Sequence, residues 1–211
     1  MAGVMHFGDD EDTVKGYSFK SFKGKEGQKE RIGFVWEDDP KKLFSGVPVH
    51  YSDKYFICKS TDEKKAVCCT HSYDGNKPRW RVGAVIAIYK MEGNKPTGYK
   101  LMPWVFTDKM YQKLKTAGQE FPLAKHDVWL TCTNEKYQTM DINSCRESIW
   151  QAKPELRKKI AEEALVIKKE VEDNLAQDLS IEEIKELLGI EVLGSADAAS
   201  DVSLGDVIDG L

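Results

Sequence analysis

The sequence predicts a mainly β protein with helices at its C-terminal end. Between residues 17 and 142, β-branched and aromatic residues alternate with polar ones, and short turn-forming stretches separate them. This period-two pattern is typical of short strands. After residue 150 the apolar residues recur at intervals of three and four, which is the spacing of an amphipathic helix. Basic residues are concentrated in the strand region and acidic residues at the two ends of the chain.

The strand region contains nine candidate strands: Tyr17–Phe22, Ile32–Trp36, Val47–Tyr51, Lys54–Lys59, Ala66–Thr70, Arg79–Tyr89, Tyr99–Phe106, Asp127–Thr133 and Lys136–Ile142. One helix interrupts them, Lys109–Thr116, with Thr107 or Asp108 as its cap and Gly118 as its stop. Short strands without long helices between them favour a small barrel or sandwich. A helix placed before the last strands is how a five-stranded OB barrel closes one end, so we expect an OB-fold-like small barrel.

Two helices are predicted after this region. The apolar residues from Leu156 to Leu175 predict a helix of about six turns. Ser180 and Glu183 form a capping box for a second helix, at about Ile181–Leu188, with Gly189 just beyond its end. The predicted organisation is a flexible acidic N-terminus at 1–16, an OB-like domain at 17–150, a helical extension at 151–190 and an acidic disordered tail at 191–211.

The distribution of charge indicates a polyanionic partner. Residues 13–154 carry 25 Lys and Arg against 16 Asp and Glu, whereas residues 155–211 carry 6 against 15. A basic body joined to an acidic tail favours binding of a polyanion, with the tail as an internal competitor. The alternative is solvated surface charge without a role.

The composition also indicates in which cellular compartment the protein is expected. No apolar run reaches the roughly 18 residues of a membrane span, and the N-terminal stretch lacks the pattern of an export signal. The five cysteines are an odd number without a repeated spacing, which favours reduced thiols over a disulfide framework. We therefore expect a cytoplasmic protein without a membrane partner.

Basic and aromatic residues are interleaved on several predicted strands. A single strand of nucleic acid needs rings for its bases and cations for its phosphates. The candidate nucleic-acid-binding residues are Lys20, Phe22, Lys23, Lys77, Arg79, Trp80, Arg81, Tyr89, Lys90, Tyr99 and Lys100. The other four tryptophans are better explained as core residues, while Trp80 can face either the core or a ligand.

A group of cysteines and histidines suggests a metal. His50, Cys58, Cys68 and His71 surround a predicted hairpin with its turn at 62–65, and their donor atoms suit one structural zinc ion. Cys69 is left out of this set because neighbouring residues on a strand point to opposite faces. The alternative is two buried thiols and two surface histidines.

The segment from Phe44 to Trp150 resembles the replication single-stranded DNA-binding proteins of tailed bacteriophages. The resemblance rests on HYSDKYFICKSTDEKKAVCCTH, RWRVGAVIAIY, MPWVFTDKMYQKL, HDVWLTC, KYQTMDI and SIW. It implies an OB barrel, in some members with a His-Cys-Cys-Cys zinc subdomain whose cysteines are separated by nine and then two residues. Here Cys58 and Cys68 match the first spacing, whereas His71 stands in place of the last cysteine and the gap after His50 is short. The family's acidic tail, which recruits replication proteins and covers the DNA groove, resembles Asp197–Leu211.

The expected function is therefore a non-enzymatic one. We expect a protein that coats single-stranded DNA in replication or recombination, in the host cytoplasm if a phage encodes it, and recruits other proteins through its tail. The alternatives are a structural or adaptor protein acting through its helices and tail, and a cysteine hydrolase. The sequence contains no GxxxxGK[ST], GxGxxG, GxSxG or HExxH motif that would indicate an enzyme.

Overall fold

The computed structural model describes residues 19–35, 40–61, 66–71, 77–149 and 153–190, without the side chains of Pro40, Lys41 and His71. The chain divides into two compact units. The sheet unit comprises the described residues within 1–46 and 82–175, and the cysteine unit those within 47–81 and 176–211. The predicted flexible N-terminus at 1–16 and the predicted tail at 191–211 lie outside the described residues. No helix in the described part of the chain is long and apolar enough to cross a membrane.

The structure is mainly antiparallel β sheet with helices in the C-terminal region, as the sequence predicts. The strands are β1 Lys29–Phe34, β2 Ser45–Ser52, β3 Lys54–Ile57, β4 Arg79–Glu92, β5 Lys95–Thr107, β6 Val128–Asn134 and β7 Thr139–Ser144. The helices are α1 Val67–His71, α2 Asp108–Glu120, α3 Pro154–Asp173 and α4 Ile181–Leu187, and a 3₁₀ turn spans Pro40–Leu43.

In the sheet unit the strand order is β4-β1-β6-β7, with β5 on the other side of β4. In the described residues this order does not close into a barrel. Because side chains alternate along β1, Ile32 and Phe34 point into the larger apolar cluster of this unit, here called the main core. There the ring of Phe34 stacks on that of Trp104, with their centres 6.3 Å apart. Leu114 of α2 is also fully buried there. The main core is thus a β-sheet face covered by one helix.

The middle of strand β4, from Val82 to Ala87, is buried on both faces, because α3 covers the face that the main core does not use. Ile160 of α3 packs with Ala87 and Tyr89 in a second apolar cluster. At Gly83 a Cβ atom would lie 2.3 Å from Val171 Cγ1, so the close approach of α3 requires glycine here. The amphipathic pattern that predicted this helix is therefore explained by its packing on the sheet.

A buried carboxylate joins several segments of the sheet unit. Asp127 is fully buried and forms a 3.0 Å salt bridge with Arg31. Its oxygens also accept hydrogen bonds from the Ser148 hydroxyl at 2.9 Å, the Ile149 N–H at 3.0 Å and the Tyr89 hydroxyl at 3.3 Å. Burial raises the pKa of Asp127. The hydrogen-bond donors and the Arg31 guanidinium lower this pKa by less, so the net shift is upward. This network connects β1, β4 and the segment after β7.

The cysteine unit is built on the antiparallel pairing of β2 with β3, which places His50 opposite Phe56 and Tyr51 opposite Tyr55. The predicted capping box of α4 is confirmed, since the Ser180 side chain accepts from the Glu183 N–H and the Glu183 side chain accepts from the Ser180 N–H. Gly189 follows the helix with a φ of 66°, as predicted for its position. Leu179 and Ile184 join the cysteines in one apolar cluster.

Three local predictions are wrong. The segment predicted as the strand Ala66–Thr70 contains the helix α1 instead, so the cysteines do not flank a hairpin. The described part of the strand predicted at Tyr17–Phe22 is irregular backbone, although Phe22 donates its N–H to the Pro103 carbonyl. Helix α2 continues past Gly118 to Glu120, because a single glycine weakens a helix without ending it.

Candidate metal centre and nucleic-acid interface

Four metal-ligating side chains meet in the interior of the cysteine unit. His50 and Cys58 come from the paired strands and the residue after them, and Cys68 and Cys69 come from α1. Their ligand atoms all lie within 4.8 Å of one another, and all four residues are buried. This His-Cys-Cys-Cys group can hold a metal ion.

Three of the distances between ligand atoms can be compared with those of a tetrahedral zinc site. With Zn–S bonds of about 2.3 Å and Zn–N bonds of about 2.0 Å, tetrahedral geometry separates two sulfurs by about 3.8 Å and a sulfur from a nitrogen by about 3.5 Å. The Cys58 Sγ lies 3.9 Å from the Cys68 Sγ and 3.5 Å from the Cys69 Sγ. The Cys69 Sγ lies 3.4 Å from the His50 Nε2. These three distances are compatible with a zinc ion bound by this donor set.

Hydrogen-bond donors surround the sulfurs. The Lys59 N–H points to the Cys68 Sγ at 3.4 Å, and the Ser60 N–H to the Cys58 Sγ at 3.5 Å. The Ser60 hydroxyl lies 2.8 Å from the Cys69 Sγ and accepts a bond from the Ala66 N–H. Donors of this kind orient thiolate ligands and stabilise their negative charge.

The helical conformation of α1 explains why Cys68 and Cys69 both face the group. Adjacent side chains on a strand point to opposite faces, whereas adjacent side chains on a helix of 3.6 residues per turn differ by only about 100°. Three of the four predicted ligands, His50, Cys58 and Cys68, thus lie together with Cys69. The fourth predicted ligand is His71, whose side chain lies outside the described residues, so its role stays a prediction.

The outer face of the same strand pair carries aromatic residues. Alternation turns His50 and Phe56 inward, with both fully buried, and leaves Tyr51 and Tyr55 at 45% and 41% exposure. The two tyrosine rings lie 4.9 Å apart. The Arg81 guanidinium lies over the Tyr55 ring at 4.1 Å, a cation–π contact. We call Tyr51, Tyr55 and Arg81 the tyrosine platform.

The predicted basic cluster contributes Arg81 to this platform, and its other members directly precede Arg81 in the chain. Lys77, Arg79 and Trp80 are all exposed, with Trp80 at 52%. Because Trp80 and Arg81 are adjacent on β4, their side chains point to opposite faces of the strand. The exposed Trp80 is therefore available to a ligand, but on the face of the strand opposite to Arg81.

The predicted nucleic-acid-binding residues of the sheet unit differ in exposure: some are buried and others are open to solvent. Phe22 is a core residue in contact with Trp104. Tyr89 is also buried, and burial together with the neighbouring Asp127 raises the pKa of its hydroxyl. Neither ring is available for stacking in this conformation. Tyr99 is half-buried and donates its hydroxyl to Glu163, while burial and this carboxylate raise the pKa of Tyr99 to about 12. The remaining predicted residues are exposed lysines: Lys20, Lys23, Lys90 and Lys100.

Sequence reasoning missed Tyr51 and Tyr55 as ligand-facing residues. The signal was present in the period-two spacing, because both tyrosines lie at odd positions on the two predicted strands, whereas His50 lies at an even one. Period two then places both rings on the face opposite to His50. Only the pairing register shows that the two rings are directly across from each other.

Neither a protein-family model nor a curated protein sequence matches the chain significantly.

Proposed function

We propose that this protein is a non-enzymatic single-stranded DNA-binding protein that coats unwound strands during replication or recombination. The observation that carries the proposal is the tyrosine platform, in which two exposed rings lie on one face of the β2–β3 pair and the guanidinium of Arg81, from β4, lies over the Tyr55 ring. Stacking of a base on an aromatic side chain contributes about 1 to 3 kcal/mol and tolerates any base, because every base has a π face. The exposed Lys77 and Arg79 add cations for the phosphates.

In this proposal one structural zinc ion, held by His50, Cys58, Cys68 and Cys69, supports the platform. The inner face of the β2–β3 pair supplies His50 to the metal, and the outer face of the same two strands carries the tyrosines. Zinc bound to four protein ligands contributes folding energy and leaves no open position for catalysis. The ion would thus hold the backbone that fixes the spacing of the two rings.

The order of elements in the sheet unit supports an OB-like assignment. Strands β1, β4 and β5 are followed by α2 and then by β6 and β7, which is the strand and helix order of the five-stranded OB fold, a partly open barrel. In this correspondence most of the cysteine unit is an insertion between the first and second OB strands. Loops at that position bind oligonucleotides in OB folds.

The direct test replaces single exposed residues and measures affinity for oligo(dT) at fixed salt. We expect Tyr55→Ala to weaken binding by about 1 to 3 kcal/mol, because it removes a stacking ring and the partner of Arg81. Trp80→Ala is expected to have an effect of the same size. The matched control is Ile181→Ala, which truncates another exposed apolar side chain of the cysteine unit and is expected to leave the affinity unchanged.

Binding should also be stronger for single-stranded than for double-stranded DNA and should weaken as salt rises. Folded wild-type protein that does not bind oligo(dT) even at low salt would reject the proposed function. Equal affinities for Tyr55→Ala, Trp80→Ala and Ile181→Ala would place the nucleic-acid site elsewhere on the protein.

The acidic tail at 191–211, which lies outside the described residues, is proposed to compete with DNA and to recruit replication or recombination proteins. It carries five acids and no basic residue, and a tethered anion can reach a millimolar effective concentration. Deleting 191–211 is expected to raise the affinity for oligo(dT) most at low salt, since screening weakens the competition. Equal affinities of the two proteins at every salt concentration would contradict the competition.

Two observations bear on the alternative functions. Leu165 and Val166 of α3 are 49% and 60% exposed, which favours an adaptor role for this helix. Loss of a protein partner in Val166→Asp with DNA binding intact would support the adaptor role.

A cysteine hydrolase is less well supported. The Cys69 thiol and the His50 imidazole lie 3.4 Å apart but are 3% and 0% exposed, so a substrate cannot reach the thiol.

A further inference from the structure

The turn between β6 and β7 of the sheet unit presents an aromatic side chain to solvent. Tyr137 is 72% exposed, more than any other large apolar or aromatic side chain in the described part of the chain. It lies at the tip of a hairpin whose strands pair regularly from Val128 to Cys132. A single exposed ring is ordinary on a protein surface, so the construction of the turn around it decides whether it has a role.

The backbone on both sides of Tyr137 is held in place. The Tyr137 N–H donates to the Asn134 Oδ1 at 3.0 Å. Gln138 has a left-handed φ of 49°, a conformation that costs of order 1 kcal/mol outside glycine. Its side-chain amide offsets that cost with two bonds to Gly24, accepting from the N–H at 2.9 Å and donating to the carbonyl at 3.2 Å. These bonds fix the backbone that carries Tyr137, so little backbone entropy is lost when its side chain binds a ligand.

The same contacts bring cations to the ring. The Lys136 Nζ lies 5.4 Å from the centre of the Tyr137 ring. The bridge from Gln138 to Gly24 also places the exposed Lys23 and Lys25 in the segment beside the turn. Glu26 and Glu135 are in the same two segments, so three cations outnumber two acids there. The turn therefore combines one exposed ring on a fixed backbone with a small excess of positive charge.

We propose that Tyr137 stacks on a base of bound single-stranded nucleic acid while Lys136 and Lys23 contact its phosphates. This makes the β6–β7 turn a second nucleic-acid contact, in the unit that does not contain the tyrosine platform. The inference rests on the proposed function and extends it, because neither Tyr137 nor Lys136 is among the residues predicted from the sequence. If the sheet unit is OB-like, this turn joins its fourth and fifth strands, a loop that binds oligonucleotides in OB folds.

The test compares Tyr137→Ala and Tyr137→Phe with the wild type in titrations with oligo(dT) at fixed salt. Tyr137→Ala is expected to bind roughly 5- to 140-fold more weakly, the equivalent of losing one stacked base at about 1 to 3 kcal/mol. Tyr137→Phe keeps the ring and is expected to bind within about twofold of the wild type. Val166→Ala, which truncates an exposed side chain of α3 in the same unit, is the matched control. Circular dichroism checks that each variant is folded.

A second readout locates the contact directly. Oligo(dT) carrying 5-iododeoxyuridine is cross-linked by light, and the modified peptides are identified by mass spectrometry. Label on the peptide that contains Tyr137, and its loss in Tyr137→Ala, supports the inference. Wild-type binding with unchanged affinity in Tyr137→Ala, or label confined to other peptides, overturns it and leaves the proposed function intact. Absence of wild-type binding to oligo(dT) rejects the proposed function itself.

Discussion

Cys69→Ser is expected to remove most of the bound metal and to unfold the cysteine unit. Structural zinc in small zinc-binding peptides contributes roughly 10 to 16 kcal/mol of apparent folding free energy, and serine is a poor substitute for a thiolate ligand. The Cys69 Sγ lies within 3.5 Å of both the Cys58 Sγ and the His50 Nε2, so its loss opens one corner of the site. Elemental analysis measures the metal, and hydrogen exchange of the amides in β3, α1 and α4 measures the unfolding.

His71→Ala is the control that separates the two possible ligand sets. If His50, Cys58, Cys68 and Cys69 hold the metal, His71→Ala keeps it and Cys69→Ser loses it. The opposite result would restore the set predicted from the sequence, with His71 as the fourth ligand. Wild-type protein purified without chelators that contains no metal, with unaltered folding in Cys69→Ser, would reduce the cluster to packed thiols.

Asp127→Ala is expected to lower the free energy of unfolding of the sheet unit by about 3 to 5 kcal/mol, because it leaves the partly buried charge of Arg31 without its partner. The hydroxyls of Tyr89 and Ser148 lose their hydrogen bonds to the Asp127 carboxylate at the same time. Denaturant titration followed by circular dichroism gives the difference. Asp141→Ala, at an exposed position of β7, is the control and is expected to change stability by less than about 0.5 kcal/mol. Equal stabilities of the two variants would show that the network contributes nothing.

The pH dependence of this effect has a definite sign. Burial raises the folded-state pKa of Asp127 above its usual value of 3.8. A carboxyl with a raised folded pKa contributes stability that is fully present below the unfolded pKa and is lost as pH rises through the folded pKa. The free energy of unfolding of the wild type, relative to that of Asp127→Asn, is therefore expected to fall as pH rises from about 4. A difference that rises over this range would contradict the raised pKa.

Strand and helix positions that depend on local signals could be predicted from the sequence. The period-two stretches around Ile32, Val85 and Leu130 are strands, and the capping box at Ser180 begins a helix. These signals are local because alternation, capping and left-handed glycines act over a few residues. The metal-binding composition of His50, Cys58 and Cys68 was readable for the same reason, since it depends on residue type and spacing.

Tertiary structure decided the conformation of α1 and the availability of the aromatic residues. Cysteine, valine and threonine in Ala66–Thr70 have intrinsic preferences that favour a strand, yet packing of α1 in the apolar cluster with Leu179 and Ile184 selects a helix. That helix, which no local signal indicated, brings Cys69 to the metal site. Phe22 and Tyr51 look alike in sequence, as aromatic residues beside lysine or serine. Phe22 lies in the main core, whereas Tyr51 is exposed. Strand register and helix packing determine which side chains are buried, and both join residues that are far apart in the chain.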